Sequence, residues 1–158
     1  MRAFQLDDTM ITVERTDPHD PQATALLQAS HALMQSLFPP EDNAYLSIDK
    51  LCARHVHFFA ARRGSVVLGT GALSVKDGYG EIKSMFVDPT ARGQGVADAI
   101  LRSLEDIARE MGLTEMKLET GNILHAALRL YERHGFLVCG PFGYYTANTS
   151  SIYMKKQL

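Results

Sequence analysis

Apolar and polar residues change their spacing several times along this chain, and each change marks an element. Over residues 9–15 the side chains alternate, with Met10 and Thr12 on one side and Ile11 and Val13 on the other, the period of a strand. Asp20-Pro21 then supplies a helix cap followed by proline in the first turn. Leu26, Leu27, Ser30, Leu33, Met34 and Leu37 recur at helical spacing up to Pro39-Pro40. The breaker-rich run Phe38-Pro39-Pro40-Glu41-Asp42-Asn43 predicts a loop inside the domain, and residues 43–51 a second, short helix. Residues 55–62 and 65–75 are β-branched or aromatic runs on either side of Arg63-Gly64, which signals a hairpin. Lys76-Asp77-Gly78-Tyr79-Gly80 turns the chain into a third strand over 81–87.

The second half alternates helix with strand. Val96, Ile100, Leu104, Ile107 and Met111 line one face of a helix predicted over 93–111, which Gly112 ends. A short strand over 116–120, a helix over 124–134 closed by Gly135, and strands over 136–139 and 150–156 complete the chain. The order β-α-α-β-β-β-α-β-α-β-β puts antiparallel hairpins first and a βαβ unit later, so the fold class is α/β with a mixed sheet.

Composition narrows the function classes. A length of 158 residues and 46% hydrophobic content suit one domain over 1–158 with a continuous core. Sixteen basic against 18 acidic side chains give a net charge of −2, which argues against binding nucleic acid by phosphate neutralisation. Cys52 and Cys139 are too few for a disulfide framework and fit reduced thiols. The amino terminus carries Asp7 and Asp8 where a signal peptide needs an apolar stretch, and no run approaches the ~20 apolar residues of a membrane span. A soluble cytoplasmic protein without a membrane partner is the expectation.

The chemistry concentrates in Met85-Phe86-Val87-Asp88-Pro89-Thr90-Ala91-Arg92-Gly93-Gln94-Gly95-Val96-Ala97-Asp98, a strand, a short loop and a glycine-rich helix entry. Glycines there let backbone N–H groups approach a ligand, and the helix adds unpaired donors and the positive end of its dipole. An anion, above all a phosphate, suits that place. A Gly-x-Gly by itself more often makes only a tight turn. A Walker loop fails, because Val96-Ala97 follows Gly95 where Lys-Ser/Thr is needed; a dinucleotide fingerprint fails at Asp98, its third glycine position. Arg/Gln-x-x-Gly-x-Gly/Ala is met by Arg92, Gly95 and Ala97.

With Ala127-Leu128-Arg129-Leu130-Tyr131-Glu132-Arg133-His134-Gly135-Phe136 further on, this motif makes the chain resemble the GCN5-related N-acetyltransferase (GNAT) family over nearly its whole length. The resemblance implies that family's fold, a central, mostly antiparallel twisted sheet flanked by helices. It also implies acetyl-coenzyme A as cosubstrate and direct transfer of the acetyl group to a primary amine of a small molecule or peptide. Backbone groups of Met85, Phe86 and Val87 would then pair with the pantetheine arm. The pyrophosphate would lie on Arg92, Gly93, Gln94, Gly95, Val96, Ala97 and Asp98, with the Asp98 carboxylate turned away from it. A homodimer is in keeping with the family.

Roles for catalytic residues follow from the same resemblance. Tyr131 aligns with the tyrosine that many members place near the thioester sulfur; a phenol of pKa about 10 can protonate a thiolate only modestly uphill. Read without the family, Tyr131 is a core tyrosine sharing a stripe with Leu124 and Leu128. Glu81 and Glu119 both match positions where members carry a proton-accepting glutamate, and both could instead pair with Lys83 or Lys117. The sequence departs from the family at Leu124, where many members have Asn. The tail Cys139-Gly140-Pro141-Phe142-Gly143-Tyr144-Tyr145 resembles a little-characterised bacterial subgroup with Asp usual at the position of Tyr144. His55 and His57 beside Cys52 invite a metal, but no further ligand cluster accompanies them, so none is expected. Cys139 is expected to be a buried structural thiol, and residues 38–45 to border the acceptor pocket. The competing readings are a catalytically idle acyl-coenzyme A-binding regulatory module and a dinucleotide-binding protein.

Overall fold

The computed structural model describes residues 10–158. Its strands are β1 (Ile11–Arg15), β2 (Val56–Arg63), β3 (Val66–Val75), β4 (Gly80–Val87), β5 (Glu115–Gly121), β6 (Leu137–Cys139) and β7 (Ser151–Gln157). Its helices are α1 (Pro21–Leu37), α2 (Ile48–Leu51), α3 (Val96–Glu110) and α4 (His125–Arg133). The strands form one sheet in the order β1-β2-β3-β4-β5-β7-β6, antiparallel throughout except between β4 and β5. The α3 crossover makes that parallel step, as the βαβ pattern predicts.

Local chemistry sets the element ends. The Asp20 carboxylate accepts from the Gln22 and Ala23 amides at 3.1 and 3.0 Å and starts α1 one residue before Pro21. The second helix is shorter than predicted. Residues 43–46 are extended, and the Ser47 hydroxyl accepts from the Lys50 amide to begin α2 at Ile48. The hairpin turns at Gly64-Ser65 rather than Arg63-Gly64, since Arg63 still pairs with Val66. The third helix begins at Val96, three residues later than predicted, because Gly93 and Gly95 hold positive φ of 74° and 81°. Thr9 lies outside the described residues.

The core forms on both faces of the sheet. Ile100, Leu101 and Leu104 of α3 pack with Leu73, Ile82, Met116, Leu118 and Met154, while Ala23 and Leu27 of α1 pack with Leu51, Phe58 and Ala72. Gly71 lets α3 come close: a Cβ there would stand 2.4 Å from Ile100 Cγ2.

One irregularity opens the sheet. Opposite Thr70 and Ala72, β4 carries Phe86 and Lys83, so Gly71 faces both Ser84 and Met85 across a bulge. Ser84 takes φ of 55°, and its carbonyl accepts from the Thr70 hydroxyl at 2.8 Å. β4 pairs with β5 only over residues 80–82. Beyond the bulge the two strands separate, and the cleft between them is the candidate site.

Candidate active site

The cleft has two lobes. The larger, about 690 Å³, runs from residues 85–87 past residues 91–98 to α4; the smaller, about 140 Å³, lies between residues 38–45, the β4 bulge and residues 150–151. Met34, Met85, Phe86, Leu124, Ala127 and Tyr131 line both, so the lobes meet around these side chains.

The larger lobe presents backbone amides and arginines. Gly95 stands at the N-cap of α3, and the first backbone bond of the helix runs from the Ala99 amide to the Gly95 carbonyl at 3.0 Å. The Val96, Ala97 and Asp98 amides therefore have no carbonyl behind them within the helix. No atom lies within 4 Å of where a Cβ on Gly93 or Gly95 would be, so the space above this loop is open. Arg92, Arg129 and Arg133 line the lobe, and Asp98 is its one lining carboxylate. That carboxylate is held by His134 Nε2 at 2.8 Å and Arg133 at 3.2 Å, and the His134 hydrogen bond first of all keeps its pKa low. Asp98 thus ties α3 to α4. The β5-facing edge of β4 at Met85, Phe86 and Val87 has no strand partner.

The smaller lobe carries the carboxylates Asp42 and Glu119. Glu119 of β5 lines it and accepts from the Ser151 hydroxyl at 2.6 Å. Burial raises the Glu119 pKa, with Glu81 and Asp42 adding to the rise; the Ser151 hydrogen bond and the Lys83 charge oppose it. Asp42 accepts from the Ser150 hydroxyl at 2.6 Å, so consecutive serines hold both acids. Tyr131 is 5% exposed. Its hydroxyl has no hydrogen-bond partner among the described residues, and burial, then Glu119, push its pKa above the ordinary phenol range.

The structure gives different settings to the two glutamates that the sequence offers as bases, Glu81 ahead of Glu119. Glu81 is 5% exposed and lines neither lobe. Tyr145 donates to it at 2.6 Å, and Lys83 Nζ stands 3.4 Å away. Lys83 also donates to Tyr145 at 2.9 Å and to the Ala44 carbonyl at 2.6 Å. The sequence offers Lys83 only as an ion-pair partner of the glutamates, which it is for Glu81, and gives no role at the site to Tyr145, Ser150 or Ser151. Asp42 lies within residues 38–45, which the sequence places at the border of the acceptor pocket.

The remaining candidates lie elsewhere. The His57 ring is hydrogen-bonded to Arg15, and burial lowers its pKa. No group of three His, Cys, Asp or Glu able to hold a metal occurs among the described residues. Cys139 is half-buried on the short edge strand β6, not fully buried as expected, because β6 pairs on one side only. No helix among the described residues is long and apolar enough to cross a membrane.

Comparison with known proteins places this geometry. The family model described as the acetyltransferase (GNAT) family matches residues 23–136. An IAA acetyltransferase of Azospirillum brasilense is 37% identical over 94% of this chain and 98% of its own length. A Klebsiella pneumoniae chain assigned as an acyl-CoA N-acyltransferase superposes with a TM-score of 0.80 at 32% identity, covering 95% of this chain and 99% of that one. A Salmonella typhimurium chain solved with its cofactor acetyl-CoA shares the fold, with a TM-score of 0.70 at 21% identity and 93% of each chain covered.

Proposed function

The chain belongs to the GNAT acetyltransferase family, and from that premise we propose that it transfers the acetyl group of acetyl-CoA directly to a primary amine of a small molecule or peptide. The observation that carries this reading is Tyr131, whose hydroxyl has no hydrogen-bond partner among the described residues and which stands where the glycine-rich lobe meets the carboxylate-lined one.

The larger lobe fits acetyl-CoA. Open space over Gly93 and Gly95, the amides of Val96, Ala97 and Asp98, and Arg92 suit a pyrophosphate. The unpaired edge at Met85, Phe86 and Val87 offers backbone donors and acceptors to an extended amide-bearing arm. The bound cosubstrate supplies an acetyl thioester.

The chain's own groups move the protons. An alkylammonium must lose a proton before its nitrogen can attack the acetyl carbon, and Glu119 accepts that proton directly or through a water. Its raised pKa makes it a stronger base than an exposed glutamate. As the nitrogen–carbon bond forms and the carbon–sulfur bond breaks, Tyr131 donates its phenolic proton to the departing sulfur, and the second proton that the nitrogen sheds on becoming an amide restores the phenol. The phenol is protonated at neutral pH, the state an acid needs, and burial, by raising its pKa, makes the proton transfer to sulfur steeper than for an exposed tyrosine. Direct transfer is favoured because Cys139 lines neither lobe.

Thermal shift and single-variant kinetics test this reading together. Acetyl-CoA is expected to raise the Tm while NAD and ATP do not. Tyr131→Phe is expected to bind acetyl-CoA as the wild type does and to lose turnover. Stabilisation by NAD equal to that by acetyl-CoA overturns the cosubstrate, and unchanged kcat in Tyr131→Phe overturns the acid.

A further inference from the structure

We propose that Lys83 is a positioning residue: a fixed cation in the acceptor lobe, anchored by Ala44, Tyr145 and Glu81, whose charge sustains the carboxylate form of Glu119. This deepens the reading of Glu119 as the proton acceptor and rests on it.

The anchoring is complete. An ammonium has three donors, and Lys83 Nζ has three acceptors around it, the Ala44 carbonyl at 2.6 Å, the Tyr145 hydroxyl at 2.9 Å and Glu81 Oε2 at 3.4 Å. They come from three separate parts of the chain, the segment before α2, the loop between β6 and β7, and β4 itself. Tyr145 in turn donates to Glu81 at 2.6 Å and packs edge-on against Phe142, which keeps the loop in place. The Lys83 side chain is only 10% exposed, so its charge is weakly screened by water. It has no free donor for a substrate. Its use is therefore its field.

That field acts on Glu119. Lys83 and Glu119 line the same small lobe, on the two strands that separate there. Every other ionisable neighbour works against the Glu119 charge or leaves it alone: Asp42 from the loop after α1 and Glu81 from β4 repel it, while Tyr131 of α4, Tyr145 of the loop and Tyr153 of β7 stay neutral as phenols. Ser151 contributes one hydrogen bond and no charge. Lys83 is the one cation lining the lobe with Glu119 among the described residues. Glu81, which the sequence offered as a base, serves instead to hold that cation and also partly offsets it.

The test reads Glu119 directly. In protein labelled with ¹³C-glutamate, the Glu119 carboxyl signal, assigned by its loss in Glu119→Gln, is followed against pH. Lys83→Met is expected to move the midpoint to higher pH, Glu81→Gln to lower pH, and the double variant back toward wild type; Lys83→Arg should restore it. A role in folding alone would not give opposite signs. Should Lys83→Met fail to fold, Glu81→Gln tests the same claim, because glutamine can still accept from Tyr145 and Lys83. An unmoved midpoint in folded Lys83→Met, or an upward one in Glu81→Gln, overturns the proposal. Where an acceptor amine is acetylated, the acidic limb of kcat should move with the midpoint. Full activity in Glu119→Gln would instead overturn Glu119 as the base and leave the titration result standing.

Discussion

Gly95 and Gly78 make a matched pair that separates backbone strain from ligand binding. Gly95 holds φ of +81° at the cap of α3, and Gly78 holds +85° in the turn between β3 and β4. A Cβ at either position meets no atom within 4 Å. Replacement by alanine therefore adds no clash in either case, only the cost of a left-handed conformation for an L residue, about 1–2 kcal/mol. In a chain of this length that lowers Tm by about 2–8 °C, and by a similar amount in both variants. Their effects on ligand binding should differ. The space over Gly95 faces the larger lobe, whereas Gly78 lines neither lobe. If backbone amides there hold the cosubstrate's pyrophosphate, a methyl group displaces the anion from them. Losing one or two charge-assisted hydrogen bonds, each about 1.5–3 kcal/mol, weakens binding by about one to four orders of magnitude. Calorimetric titration with acetyl-CoA reads the affinity, and thermal melts without ligand read the strain. Equal Kd values for Gly95→Ala, Gly78→Ala and wild type, with both variants destabilised alike, would refute this assignment of the anion site.

Three further substitutions examine other parts of the account. Tyr131→Phe removes only the free hydroxyl, so kcat should fall by about two orders of magnitude while the Kd for acetyl-CoA stays as it is; a fall in affinity instead would make Tyr131 a packing residue. Glu119→Gln should raise Tm at neutral pH, because a carboxyl whose folded pKa is raised destabilises the fold as pH climbs through that value. The gain should vanish below about pH 3, where glutamate is protonated in both states, and a gain that grows on acidification would contradict the sign. Asp20→Ala takes the cap from two amides at the start of α1 and should cost about 1 kcal/mol in a denaturant melt, without changing acetyl-CoA binding.

What could be read in advance divides by the range of the interactions involved. The element order and the helix caps are local: Asp20 before Pro21, glycines at helix ends, alternation in the strands. The candidate anion loop is also a local pattern, because Arg92, Gly95 and Ala97 lie within six residues of one another. Where positive φ at Gly93 and Gly95 delays α3, only the boundary shifted. The acceptor lobe was far less legible. Lys83 and Tyr145 are 62 positions apart, and Asp42 and Ser150 are 108 apart, so no local pattern joins them. As sequence, Glu81 and Glu119 both read as candidate bases, Glu81 ahead of Glu119. Only the strand separation beyond Ile82 shows that one faces the lobe and the other faces Lys83. The bulge at Ser84 that causes this separation gives no sequence cue, since serine does not favour positive φ.

The central claim is that this cleft moves an acetyl group to an amine. A panel of primary amines, covering amino acids, diamines, aryl-alkylamines and short peptides with free amino termini, can be offered with acetyl-CoA while free thiol release and product mass are followed. The account predicts thiol release that requires an added amine, matched by one acetyl group on that amine and greatly reduced in both Tyr131→Phe and Glu119→Gln. Tight acetyl-CoA binding with no amine-dependent thiol release across the whole panel would contradict it and leave an acyl-CoA-binding module in its place.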